Sequence, residues 1–332
     1  MPSRTPQISP RLRRTYPRLS GLDLSSSEGE SLSLDDLGLE SSGDRVALAF
    51  ETYSREGLER ALAAYGFTQR LEERVGPFEL RLSCQEPFQP RLTFWSRRYH
   101  TPVADLSLRR ALGAEVGFTH AAAEAPLLYV DSLLLQHPGR PFDWNRPPLP
   151  GQLHPGLSLS NDILELLHLM ARRIGAEAVA LMPATFAAAC VYEPRYAFVD
   201  GAAQGRFSAL RRAGRGWPRW LLAWAVELGC MRDEQGQPAL FAPSAMISPL
   251  SRRLSRRLDT RGWHEAQRFH AKQPLTLDEE ALQARFPWGR MPPGPPPERV
   301  VELLGYDPLS PASPLDEGWD RASIPLRSIA GV

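Results

Sequence analysis

The chain has 332 residues, 42% of them hydrophobic and 23% charged, with a formal net charge of +1. Such a balance gives no global field to attract nucleic acid or an anionic membrane, so a partner of either kind would need a local patch. Cys84, Cys190 and Cys230 lie far apart and never in a CxxC pair, which argues against both a disulfide framework and a structural zinc site.

At this length two folded units are the upper limit. The longest apolar runs, such as residues 127–135, are too short to cross a bilayer, and the polar, proline-rich start lacks the apolar stretch of a signal peptide. A cytoplasmic protein is the expectation. Lys272 is the only lysine, and this arginine bias is open to two readings: guanidinium forks for anions, or a GC-rich coding sequence.

Residues 1–20 carry Arg4, Arg11, Arg13, Arg14 and Arg18 with no acid, and residues 21–44 carry seven acids among serines and glycines. A segment so polar buries too little apolar surface to offset its ordering entropy. The expectation is a disordered tail over 1–44, either solvated or docked through its basic block on something acidic. Order is expected to begin at residues 45–53, where Val46, Leu48 and Phe50 alternate as on a half-buried strand. Residues 54–65 predict an amphipathic helix with Ser54 as N-cap, a stripe of Leu58, Ala61, Leu62 and Tyr65, and Gly66 as its stop.

Residues 78–84, 91–96 and 103–109 predict strands of an antiparallel meander with one wet face. Residues 127–136 carry leucine and valine on both faces and predict a central strand buried on both sides. A proline-rich loop over 138–156 then leads into a helix whose stripe runs Ile163, Leu166, Leu167, Met170, Ala171 and Ile174, ended by Gly175. A strand at 178–182, a small-residue helix around 185–192 and a strand at 196–200 complete this body.

Beyond Gly205 the character changes. Trp217, Trp220, Leu221, Trp224 and Leu228 predict a helix that packs aromatic bulk, with an aromatic cage for a ligand as the alternative. Leu250, Leu254 and Leu258 form a stripe flanked by Arg252, Arg253, Arg256 and Arg257, read as a solvated helix face or as phosphate contacts. The proline-rich end carries one short helix near 298–304. The expected division is therefore a tail over 1–44, an α/β body over 45–205, a Trp/Arg-rich helical extension over 206–270 and a proline-rich segment over 271–332.

The order β-α-β-β-β-β-α-β-α-β resembles the GNAT superfamily of acyl-coenzyme A-dependent N-acyltransferases over about residues 45–200. The resemblance is carried by residues 127–136 as fourth strand, by Gln152-Leu-His-Pro-Gly-Leu-Ser158 as pyrophosphate loop, and by the small-residue, Tyr and Phe pattern of residues 188–198. It implies a mixed, mostly antiparallel central sheet flanked by helices, acetyl-coenzyme A or another acyl-coenzyme A as cosubstrate, and a small-molecule or protein amine as acceptor. It also assigns Gln152, Gly156, Leu157, Ser158 and Ser160 to the pyrophosphate and an amide near Leu133 to the oxyanion. Tyr192 becomes the acid for the departing thiolate and Asp131 the base, with His137 and His154 behind it. Leu153 stands where the family's loop has Arg or Gln, and Asp162 and Glu165 bring negative charge to the first helical turns.

The logic of the loop is physical. A helix N-terminus has unpaired N–H groups and the positive end of a dipole, so a glycine-containing turn leading into it cradles an anion. Acyl transfer further needs a base, donors for the oxyanion and an acid for the leaving group. The competing expectation is a GNAT-like body without catalysis, an interaction or regulatory module using the tail and the C-terminal extension. Nucleic-acid binding through residues 252–257 is disfavoured by the near-zero net charge.

Overall fold

The computed structural model of the protein describes residues 8–26, 48–84 and 89–304. Strands β1 (Phe78–Ser83), β2 (Arg91–Ser96), β3 (Thr101–Leu112) and β4 (Pro126–Leu135) form an antiparallel meander. β4 then pairs in parallel with β5 (Ala178–Leu181). Parallel neighbours need a crossover connection, and residues 136–159 with helix α5 (Ser160–Arg173) supply it.

Two further strands, β6 (Ala197–Phe198) and β8 (Met246–Pro249), extend the sheet; β8 lies antiparallel between β5 and β6. The result is a mixed, mostly antiparallel seven-stranded sheet in the order β1-β2-β3-β4-β5-β8-β6. Alternation along the strands feeds two cores. Leu128, Val130, Val179, Leu181 and Met246 pack on the side of α5, while Leu127, Tyr129, Ala178, Ala180 and Ile247 pack with Leu254 of α9 (Arg252–Leu258).

Helix α3 (Arg55–Ala64) begins as its sequence predicts, with Ser54 Oγ accepting from the Gly57 amide at 2.9 Å. α4 (Phe67–Val75) follows from Gly66, whose φ of 66° no other residue type adopts as freely. Past β5 come α6 (Phe186–Tyr192), α7 (Gly201–Ala213) and α8 (Arg219–Glu227). Then α10 (Arg261–Ala271) lies along α7, while β7 (Met231–Arg232) and β9 (Thr276–Leu277) form a separate ribbon. Helices α11 (Glu279–Arg285) and α12 (Glu298–Leu304) close the described chain, α12 where a short helix is expected.

The tail is not wholly unfolded as its composition predicts. Residues 8–26 form helices α1 (Pro10–Thr15) and α2 (Gly21–Ser25), with Ile8, Leu12 and Leu24 buried. Polar neighbours hold the backbone: Arg173 donates to the carbonyls of Leu19 and Tyr16 at 2.9 and 3.0 Å, and Arg60 to those of Asp23 and Ser26, both at 2.8 Å. Most of the acidic block, over 27–44, lies outside the described residues, as does the proline-rich end beyond 304.

Three other expectations change. Residues 45–47 lie outside the described part, and the rest of the expected first strand is a tight turn, bridged from Ala49 to Tyr53, with Phe50 and Glu51 at φ 54° and 58°. The expected wet face of β3 carries buried Asp105, which Arg91 engages at 2.7 Å and Thr93 at 2.7 Å. The α/β body does not end at 205, because β8 comes from the expected extension and sits inside the sheet. Among the described residues no helix is long and apolar enough to cross a membrane.

Candidate functional site

The site begins with a break in β4. Its register against β3 runs Ser107 to Ser132 and then Leu108 to Val130, so Asp131 is an extra residue opposite none. A bulge of this kind bends its strand and increases the local twist. The parallel pairing with β5 covers only Leu127–Val130 against Ala178–Leu181 and ends there. Up to Val130 the strand is buried on both faces; beyond it Asp131, Ser132 and Leu134 are exposed. The expectation of a strand buried throughout thus holds for one half only, and the other half is partly exposed.

Alternate backbone groups of that half face away from β3. The Gln136 amide donates to Val103 O on the β3 side, and the next amide, of His137, donates the other way, to Pro155 O at 2.7 Å. Strand alternation therefore turns the amides of Leu133 and Leu135 away from β3. Leu134, 40% exposed, and Met182, 46% exposed just past the end of β5, leave apolar surface at the two strand ends.

The loop before α5 lies against this edge. Gly156 is exposed, and a methyl there would meet only Leu135 O at 3.8 Å, so the position is open, with a backbone that other residues adopt. The left-handed residue is Ser158, at φ 57°, two places beyond the glycine on which the family pattern aligns. Leu157 and Leu159 are buried and pin the turn, and Leu159 is an N-cap without a side-chain acceptor. The helix therefore opens at Ser160 with no side chain capping its first amides.

Gln152 is not aimed at a ligand through its oxygen, because Oε1 accepts from the Leu149 amide at 3.1 Å within its own turn. The acids of the first turns are neutralised within the fold. Arg70 pairs with Asp162, and Arg11 lies 3.8 Å from the same carboxylate. Burial of Glu165 opposes its charge, but the Ser9 amide and Arg195, each at 3.0 Å, outweigh it and hold the carboxyl below its ordinary range.

The catalytic candidates are less well placed. Asp131 Oδ1 accepts from Arg109 Nε at 3.1 Å, and the same guanidinium pairs with Glu115 at 2.5 Å and lies over the ring of Tyr129. Tyr192, the last residue of α6, packs edge-on against Tyr196 with ring centroids 6.0 Å apart, and burial pushes its phenol up. The Nε2 of His137 donates to Arg74 O at 3.0 Å, leaving Nδ1 buried without a partner among the described residues.

Two positioning features escape a sequence reading. Arg146, exposed in the proline-rich loop, donates from Nη1 to Ser158 Oγ at 2.8 Å and so brings a cation to the turn that opens α5. Twelve residues separate them, with no periodic signal to connect them. The loop itself is tied down by the C-terminal region: the buried Trp224 donates to Pro148 O at 2.9 Å, and Trp144 donates to Gly294 O at 3.2 Å. The tryptophan helix is therefore a core element.

No protein-family model matches the sequence, and no curated protein matches it either.

Proposed function

We propose that the chain is an acyl-coenzyme A-dependent N-acyltransferase of GNAT-like design. The observation that carries the reading is the end of the β4–β5 pairing at Val130, just before the Asp131 bulge, beside a loop whose helix opens with uncapped amides. The pyrophosphate would rest on the amides from Leu157 to Ser160, with Arg146 as counter-charge and the thioester arm along the apolar strand ends. Attack of the free amine on the thioester carbonyl forms the C–N bond as the C–S bond breaks. The Leu133 amide donates to the oxyanion, and Tyr192 gives its proton to the departing thiolate. Asp131 takes the acceptor's proton once released by Arg109.

Calorimetric titration with acetyl-coenzyme A and a long-chain acyl-coenzyme A tests the reading. Binding is expected, roughly tenfold weaker in Arg146→Gln, the loss of one charge-assisted hydrogen bond of about 1.4 kcal/mol. Absence of heat with every acyl-coenzyme A would remove it. A second reading, a GNAT-like module without catalysis, is favoured by the ion pair that engages Asp131. Turnover that is lost in Tyr192→Phe would eliminate that version.

A further inference from the structure

Helices α6, α7 and α8 meet around a cavity of about 410 Å³ that the acyl-transfer reading does not use. Phe186 and Cys190 of α6 and Glu193, which caps its C-terminal end, line it at helical spacing. Tyr192 stands about 200° round the helix from Cys190 and packs on Tyr196, so the cavity lies on a different side of α6 from the candidate acid.

Four arginines border this one concavity: Arg211 and Arg212 from the end of α7, Arg215 in the turn, and Arg219 at the start of α8. Arg211 pairs with Glu193 at 2.9 Å, and Arg212 donates to the carbonyls of Ala271 and Gln273, tying down the end of α10. Among the described residues Arg215 and Arg219 enter no ion pair. The first two also complement the negative end of α7. Arg219 has no such role, because it opens α8, whose N-terminus is uncapped and disfavours a cation. Both features ask for an anion.

Phe186, Trp217 and Leu222 give the lining an apolar part, beside Ser208 and the Glu193 carboxylate that Arg211 engages. The volume falls within the range of roughly 300–1,000 Å³ typical of small-molecule sites and far exceeds that of an inorganic anion. We propose that this cavity binds a small phosphomonoester carrying a flat ring, the class to which nucleoside monophosphates belong, with its dianion between Arg215 and Arg219 and its ring against Trp217. Guanidinium forks match phosphate oxygens in pairs, and an indole face suits a planar ring. Cys190 serves as a reporter: burial pushes its thiol up to about 11, against the pull of Arg211 and Arg219, so its alkylation is slow and is followed at mildly alkaline pH.

The full chain, titrated calorimetrically with adenosine 5′-monophosphate, adenosine and inorganic phosphate, tests this. The monophosphate is expected to bind at least tenfold more tightly than either control and to slow alkylation of Cys190 but not of Cys84, read by mass spectrometry. The double variant Arg215→Gln/Arg219→Gln should weaken it at least tenfold, whereas Arg146→Gln should leave it unchanged. The proposal is overturned if the monophosphate binds no better than the controls, if the double variant keeps full affinity, or if Arg146→Gln weakens binding equally, which would move the nucleotide to the loop before α5. Both arginines are exposed, so the variant should fold; if its circular dichroism shows otherwise, protection of Cys190 in the unaltered chain decides.

Discussion

His168 is buried on α5, with Nε2 2.9 Å from Ser248 Oγ on β8 and Nδ1 2.5 Å from Leu164 O. Burial drives its pKa from the ordinary 6.5 down to about 4; the Leu164 carbonyl opposes this, Arg195 and Arg172 add to it, and Glu165 opposes it. The folded pKa lies below the unfolded one, so between about 6.5 and 4 the unfolded chain binds more protons. The stability linked to neutral His168 is complete above the upper value and lost as pH falls toward the lower. A difference of about 2.5 units is worth about 3 kcal/mol, a large share of a typical domain's stability. Urea unfolding of the unaltered chain and of His168→Gln, at steps from pH 7 to pH 4.5, measures it. Glu165 and Asp105 also respond to acid, so the informative quantity is the difference between the two curves, which should narrow by most of that amount. Parallel curves would refute the reasoning, because they would mean that the folded imidazole takes up its proton as readily as the unfolded one.

Two further predictions concern close helix approach. In Gly57→Ala the new methyl would lie 1.8 Å from Leu24 O, so residues 8–26 must lift from α3 at a cost of about 1–3 kcal/mol; trypsin should cut after Arg13 and Arg18 faster, and unchanged cleavage would contradict the packing of α2. In Gly205→Ala the methyl would meet Gln267 O at 2.6 Å where α10 crosses α7. The steric cost of about 1–3 kcal/mol should exceed the gain of about 1 kcal/mol in helix propensity, so the unfolding midpoint should fall; a rise would show that α10 yields freely.

Elements with a strong period are legible in the residues themselves. The stripes of α3 and α5, the alternation of β1 and β2, and the punctuation by Gly66 and Gly175 need no tertiary information, because local propensity and burial pattern agree there. α7 lacks such a stripe, and α10, though amphipathic, buries none of its residues fully. They pack where Gly201 and Gly205 let backbone meet backbone, so burial comes from closeness rather than from large apolar side chains. The N-terminal segment is hidden by its average polarity, since three apolar anchors and two arginines that bind its carbonyls suffice to order it.

The site divides in the same way. Chain order and composition by themselves determined an α/β body with a buried strand, a glycine-bearing loop and a helix in succession, since each is a matter of local pattern. How far that strand pairs with its neighbour was decided by the tertiary structure, in which β5 spans only Ala178–Leu181 and leaves β4 beyond Val130 paired to β3 alone, across the Asp131 bulge. Tertiary structure likewise brought Arg146 to Ser158, bound Asp162 to Arg70 and Asp131 to Arg109, and inserted β8 into the sheet. These are contacts between distant residues, whose energies depend on separations that no local pattern encodes.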